Sequence, residues 1–448
     1  MRQTIRRCLF LAPPTDGRRL GRWQLALLTG SLLVLAAILQ LLRLGVGNAL
    51  ESLWAEDGSI LLQGAFEHGV LDALFTPYAG YLILVPRLIG EVGAAVPLRD
   101  AAPAMVIAST LVAALSGLVV WFAAAGHIRN PYLRGALVGL TVLSPVASLE
   151  SIGAGSYVLW YMLFASFWVL LWTPRTTGGA VLGGLFALLT GLSTPGVWFF
   201  APLAALRLLT ARDRRDGAIL AGYTIGAAVQ VPVLASNSEN AVQPLWTNDI
   251  WTSYLQRVLD GGVFGERLGG LGWEQLGWAL LATLVLASLA ALAWVAWRSS
   301  LQVRAFTALA VGTSLLMFVA SVYQRAVGAQ VMWPADTYFG NAGRYAIVPA
   351  LLLASAALVA IDRWPRPLPG PRRLPWIGLA ATALAAVAIV TSFHVADPAV
   401  RGTPHWSEAI DSAIATCRRE GNETAPVNTS PPGYALFVSC QTLSDAAR

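Results

Sequence analysis

The chain has 448 residues, of which 56% are hydrophobic and 12% charged, with a mean hydropathy of +0.61. A soluble domain carries roughly a quarter charged residues, so this composition excludes a water-soluble multi-domain enzyme, a disordered chain and a nucleic-acid binder. All 30 basic residues are arginine, and the net charge of +6 informs through where it is placed rather than through its size.

A bilayer core of about 30 Å is crossed by roughly 20 apolar helical residues. The apolar runs predict about eleven spans: 23–43, 103–125, 133–150, 156–173, a short pair at 179–191 and 197–210, then 217–235, 276–297, 305–324, 346–361 and 375–393. Residues 1–22, with Arg2, Arg6, Arg7, Arg18, Arg19 and Arg22, read as a cytoplasmic tail, because the run that follows is too long for a cleaved signal. Alternation from an inside N-terminus then puts Arg129 and Arg134, Arg175, Arg212, Arg214 and Arg215, Arg298 and Arg304, and Arg363, Arg366, Arg372 and Arg373 in inside loops. Short cytoplasmic loops carry such an excess of arginine. The segments 44–102, 236–275, 325–345 and 394–448 fall outside. The pair at 179–210, broken by Ser193-Thr194-Pro195-Gly196, reads as two short crossings or a re-entrant hairpin, and both return the chain to the same side.

The expected fold is therefore an all-α polytopic membrane protein, N-in and C-out. A transmembrane domain covers 23–393, with interfacial helices in the first outer loop (44–102) and a large outer loop at 236–275. Segment 79–97 carries Arg87 and Glu91 four residues apart and reads as an amphipathic helix on the outer surface, with those two as a helix-stabilising pair. A small extracytoplasmic α/β appendage occupies 394–448: helical spacing at 405–419, and a strand at 434–440 after Pro431-Pro432-Gly433. Cys417 and Cys440 would lie in an oxidising compartment, where they form a disulfide or stay two buried thiols; Cys8 stays reduced inside. The sequons at Asn422 and Asn428 carry no weight.

Charges within spans are costly, so candidate chemistry begins with acids at water-facing ends. Glu56 and Asp57 follow the interfacial Trp54 and precede Gly58. Paired carboxylates there could act as a general base or hold a divalent cation; the alternative is Asp57 as the N-cap of a helix over 59–75. Glu150 ends the third span on the same face, either facing the same cavity or as a solvated loop acid. Arg344 and Tyr345, after Tyr338-Phe339-Gly340-Asn341-Ala342-Gly343, suit a phosphate through charge-assisted bonds, or else anchor the span at the interface. Arg325 is a weaker case of the same kind. His68, near the acids, is either a ligand-touching or an interfacial residue. Trp246, Asp249, Trp251 and Tyr254 could stack on a sugar, though an aromatic belt is the favoured reading. No His/Cys metal cluster, phosphate-binding Gly-Lys-Ser loop or dinucleotide fingerprint supports nucleotide chemistry on the cytoplasmic side.

One N-in span, a long first outer loop opening with Glu56-Asp57-Gly58, an interfacial helix and about ten further spans together resemble the GT-C superfamily of polyprenyl-phosphate-sugar glycosyltransferases. Many bacterial members read Asp-Glu-Gly at this place; here the order is Glu-Asp-Gly, and either acid can take the base position. The stretch Pro77-Tyr78-Ala79-Gly80-Tyr81 through Pro86-Arg87 looks like that of actinobacterial membrane proteins of this type. The resemblance implies an inverting hexosyl- or pentosyltransferase of the bacterial plasma membrane with its site on the extracytoplasmic side. Its donor would be a polyprenyl-phosphate-linked sugar and its acceptor a cell-envelope glycan, glycolipid or glycoprotein. Asp57, Glu56 and Glu150 would be catalytic, with Arg344, Tyr345 and Arg325 on the donor phosphate and Trp54, His68, Tyr78 and Tyr81 on substrate. Some members use a divalent cation (Mg, Mn or Ca), which Glu56 and Asp57 would hold. The rivals are a polysaccharide polymerase or ligase, a lipid-linked sugar transporter or flippase, and a non-catalytic scaffold.

Overall fold

The computed structural model describes residues 1–13, 21–45, 49–147, 149–211, 213–236, 245–325, 343–363, 374–393 and 405–447. Arg18, Arg19, Arg212, Arg366, Arg372, Arg373 and the stretch 338–342 lie outside the described residues.

Helix α1 (Arg2–Leu9) precedes the first long apolar helix, α2 (Arg22–Leu44). The next segment folds into a π-helical turn at Asp57–Leu62 and the short helices α3 (Gln63–Glu67), α4 (Val70–Phe75) and α5 (Leu84–Ala94). There follow α6 (Ala101–Ala123), α7 (Pro131–Val142), α8 (Val158–Leu171), α9 (Thr177–Gly191), α10 (Ala201–Thr210) and α11 (Arg214–Ser236). Next come α12 (Asp249–Ser253), a second π-helical stretch at Tyr254–Asp260, α13 (Gly261–Leu276), α14 (Trp278–Arg298), α15 (Leu301–Gln324), α16 (Arg344–Asp362) and α17 (Leu374–Thr391). The appendage comprises α18 (Trp406–Glu420), the antiparallel pair β1 (Thr424–Thr429) and β2 (Tyr434–Ser439), and α19 (Cys440–Ala446).

Among the described residues, six helices are long and apolar enough to cross a membrane: Trp23–Leu44, Leu98–Gly126, Arg214–Ser236, Trp278–Arg298, Leu301–Gln324 and Arg344–Asp362. Shorter apolar helices stand at Gly155–Leu171, Thr177–Gly191, Pro195–Thr210 and Gly378–Thr391. The expected span 133–150 is only the 12-residue α7. Leu143 leaves helical geometry two residues before Pro145, whose ring disfavours a helical residue ahead of it. Helices α9 and α11 pack backbone to backbone, since a Cβ on Gly222 would run into the Gly184 carbonyl; small residues are what permit such approach between membrane helices.

Two expectations change here. The segment 79–97 is not a surface helix: α5 is largely buried, and Gly90 lets the Leu61 main chain lie against it. Its Arg87 donates to the Ile60 carbonyl at 2.6 Å and makes no ion pair with Glu91 within 4 Å. In the expected outer loop 236–275, the described residues from Asp249 onward are likewise helical and pack into the bundle. Tyr254 is buried, with its hydroxyl 3.1 Å from Ser314 Oγ and its ring against Phe318, while Trp246 and Trp251 remain half exposed and meet edge to face.

The N-terminal tail ties one end of the bundle together. Asp216 accepts from Arg6 at 2.8 Å and from the buried Arg207 at 2.9 Å, and Arg6 also donates to the Thr210 carbonyl. Arg175 donates to Pro13, Gln302 to Arg7, and Arg363 to the carbonyls of Gly126 and His127. At the other end Arg43, fully buried, donates to the carbonyls of Ser144, Ser392 and Phe393, one or two residues past the ends of α7 and α17. Helix C-termini carry partial negative charge, which suits a buried guanidinium without a carboxylate.

Candidate active site

Three acids meet at the end of the bundle that bears Arg43, and each is held differently. Asp57 is buried at 2% exposure, with Oδ2 accepting from the Gly155 amide at 2.8 Å and Oδ1 from the Ser156 amide and hydroxyl at 2.8 and 2.7 Å. Those amides open the helical segment that runs on into α8, so Asp57 caps a helix a hundred residues away rather than its own. First-turn amides of a helix have no partner within it and carry the positive end of its dipole. Burial pushes the Asp57 carboxyl up to about 6, opposed by the bonds from Ser156 and Gly155, with neighbouring Glu56 adding a smaller upward push.

Glu150, also buried, faces the start of α16. Its carboxylate accepts from the Arg344 amide at 3.0 Å and from the Arg344 guanidinium at 2.5 Å. Glu56 caps nothing. It is partly exposed, and the Tyr157 hydroxyl donates to its carboxylate, 3.0 and 3.1 Å from the two oxygens. Tyr157 connects the groups, because the Arg344 guanidinium carbon lies 4.9 Å from its ring centre and 5.1 Å from that of Tyr345. Tyr345 in turn packs edgewise on Trp160.

Tyr78 and Tyr81 come to the same place through a two-residue turn. Their main chains pair in both directions, at 2.9 and 3.1 Å, with Ala79 and Gly80 both at positive φ (51° and 87°). Such turns need both central residues there, which glycine accepts freely and alanine only under strain. Burial pushes the Tyr78 phenol up to about 12, and Glu56 adds to it; burial also raises Tyr81. Both are hydrogen-bond donors at neutral pH. The Arg325 guanidinium carbon lies 5.9 Å from the Tyr81 ring centre, and among the described residues no carboxylate comes within 4 Å of it. Arg344 is therefore paired with Glu150, whereas among the described residues Arg325 has no carboxylate partner.

Glu56, Asp57, Glu150, Tyr78, Tyr81, Arg325, Arg344 and Tyr345 thus form one neighbourhood. Trp54 joins through its main chain, pairing with Ser430, and its side chain is half-buried. His68 stands exposed at the end of α3, with no contact to the cluster among the described residues. Sequence reasoning missed Tyr157 and its neighbours Gly155 and Ser156; the signal was the small-residue run Gly153-Ala154-Gly155-Ser156 at the head of an apolar segment, a ready supply of helix-start amides. Among the described residues no group of three His, Cys, Asp or Glu side chains could hold a metal ion. Both Asp57 oxygens are engaged by main-chain and hydroxyl donors, whereas Glu56 accepts only from Tyr157 among the described residues and would offer the freer oxygens to a divalent cation.

Fold and site together describe a multi-pass helical membrane protein with a carboxylate, guanidinium and phenol cluster at one end of its bundle. No family model and no curated protein matches the chain. Two solved structures align with the chain at low similarity. The Archaeoglobus fulgidus oligosaccharyltransferase in complex with Zn and sulfate aligns at 14% identity with a TM-score of 0.39, over 87% of this chain and 56% of that one. The oligosaccharyltransferase AglB from the same archaeon, in complex with an inhibitory peptide and a dolichol-phosphate, aligns at 13% identity with a TM-score of 0.36, over 88% and 58%. The chain spans little more than half the length of these proteins.

Proposed function

We propose that this protein is a GT-C-type glycosyltransferase that moves a sugar from a polyprenyl-phosphate donor to an acceptor hydroxyl at the outer face of the membrane, with inversion. The observation that carries the reading is the unequal fate of the three acids. Asp57 and Glu150 are consumed by helix starts, which leaves Glu56, partly exposed and steadied by Tyr157, as the carboxylate free to act. Arg325, which has no carboxylate partner among the described residues, lies against Tyr81 of the same neighbourhood.

In this mechanism Glu56 takes the proton of the acceptor hydroxyl as its oxygen attacks the anomeric carbon. The bond from that carbon to the phosphate oxygen breaks, and its electron pair leaves with the polyprenyl phosphate. Arg325 neutralises the charge that grows on the phosphate, and Arg344, fixed by Glu150, adds a weaker field from the other side. Tyr78 and Tyr81 donate to phosphate or sugar oxygens. No step runs through a metal ion. The acceptor is a cell-envelope glycan, glycolipid or glycoprotein, and the phosphate stays at the membrane surface with its chain among the lipids.

The test is transfer in lipid nanodiscs from a radiolabelled polyprenyl-phosphate sugar to cell-envelope acceptors. The reading holds if wild type transfers label and Glu56→Gln abolishes it while retaining its helical spectrum. A folded Glu56→Gln protein that works at the wild-type rate would remove the proposed base.

A further inference from the structure

The stretch that carries the acids is gripped from outside the bundle by the appendage. Ahead of them, the Ser430 amide donates to the Leu53 carbonyl at 2.9 Å, the Ala55 amide donates to the Ser430 carbonyl, and Trp54 and Ser430 form a parallel bridge. Just after them, Gly58 lies under Thr429, whose methyl occupies the space a Cβ would need. One turn further, the Gln63 side chain accepts from the Phe437 amide at 2.6 Å and donates to the Phe437 carbonyl at 3.2 Å, so one side-chain amide stands in for a neighbouring strand. Upstream, Glu51 accepts from the Trp406 amide through its carbonyl and from the Ser407 amide through its carboxylate, holding the start of α18. Trp406 Nε1 and the Arg99–Asp411 pair fix the appendage to residues 98 and 99.

The appendage has a rigid frame from which to do this. Strand β1 alternates exposed and buried residues, with Ala425 and Val427 turned inward, and Ala409, Ile410 and Ala413 of α18 are buried with them. The Cys417–Cys440 disulfide joins the end of α18 to the start of α19. On the opposite side Gly155, Ser156 and Tyr157 hold the same two acids from the bundle. Glu56 therefore sits on a seam between the appendage and the bundle, held from both.

We propose that the C-terminal appendage is the positioning element for Glu56, acting through Ser430 and Thr429 on the main chain at 53–58. That Glu56 is the base rests on the function proposed above, but the mechanical coupling does not. A glycine with a methyl group seated over it and paired main chains on one side make a lever: a displaced Thr429 moves Ser430, and Ser430 moves residues 53–55.

The test is a substitution cycle at this contact in the full-length protein in nanodiscs, read by hydrogen–deuterium exchange and by transfer. Gly58→Ala should speed exchange in 53–57 and 428–431 together by about 10-fold, a local opening rather than global unfolding. Exchange in 406–416 should not change. Adding Thr429→Gly to Gly58→Ala should restore both peptides. Gln63→Ala, which introduces no clash, should loosen 53–63 and 436–438 in parallel. In the transfer assay Gly58→Ala should lower kcat about 10-fold at unchanged donor KM, and the double substitution should recover it. A merely structural cap predicts a lower melting temperature with kcat and exchange at 53–57 unmoved. Exchange at 428–431 that rises without any change at 53–57 overturns the proposal. Coupled exchange in a wild type that transfers no sugar leaves the lever standing and removes the transferase reading.

Discussion

The two ends of the bundle are built from the same arginines and acids and do opposite things with them. At the end bearing the N-terminal tail, Asp216 is shared between Arg6 and the buried Arg207, and Arg207 is further bonded to the carbonyls of Leu170 and Trp172. Opposite charges are paired and covered there. At the far end one pair, Glu150 with Arg344, is closed in the same manner, but among the described residues Glu56 meets a phenol and Arg325 an aromatic face, neither of them an opposite charge. An enzyme stabilises charge that develops during a reaction with groups not already neutralised by each other. On the proposed function, pairing rather than residue type separates a structural end from a reactive one.

Substitutions at the two ends should separate the closed pairs from the unpaired groups. Removing the proposed general base should have the largest effect: Glu56→Gln should lower kcat about 10³-fold, within the range for a positioned acid–base group, with thermal unfolding unchanged. Glu150→Gln should act on stability instead. It leaves a partly buried guanidinium unpaired at a helix start, at a cost of about 3 kcal/mol in reversible unfolding, and Asp216→Asn at the other end should cost about as much. Equal damage from the two would confirm that both are closed pairs. Only Glu150→Gln should also impair transfer. Arg325→Gln should raise the donor KM about 10-fold, the value of one charge-assisted bond to phosphate, and leave the melting curve in place. An Arg325→Gln protein with a lower melting temperature and an unchanged donor KM would make that arginine structural too.

The smallest expected effect is with pH. Because burial lifts the Asp57 carboxyl to about 6, transfer should fall to half near that pH on acidification, as the proton weakens its hold on Gly155 and Ser156. The stability contribution runs the other way. Between the ordinary 3.8 and about 6 the folded protein holds a proton that the unfolded chain has lost, so this group contributes less stability as pH rises through that window. Activity lost at pH 5.5 without unfolding, and recovered at pH 7, is the expected signature; loss of activity together with melting would assign it to other groups.

The layout was largely legible in the chain. Runs of apolar residues fix where helices can lie, because lipid leaves the backbone no partners but its own, and helices stand at the expected positions. Length was less legible. Pro145 cuts α7 to 12 residues, and the Gly90 approach buries a segment whose Arg87 and Glu91 read as a surface pair. The C-terminal helix and the strand at 434 were readable from periodicity and from Pro431-Pro432-Gly433, but β1 was not, since Thr424-Ala425-Pro426-Val427 carries a proline that only an edge strand tolerates.

Sequence alone determined that this is a membrane-type chain, that its acids and late arginines crowd the ends of spans, and that Glu56-Asp57-Gly58, Glu150 and Arg344 are the residues to watch. It could not say which carboxylate is free. Asp57 and Glu56 are adjacent and chemically alike, and what separates them is a set of amides at 155 and 156 that arrive from another helix. Tertiary structure alone decided that Glu150 pairs with Arg344, that Arg325 reaches the Tyr81 ring, and that residues 429 and 430 brace the loop. Hydrogen bonds between distant segments depend on how helix ends are brought together, and local spacing in the chain carries no record of that.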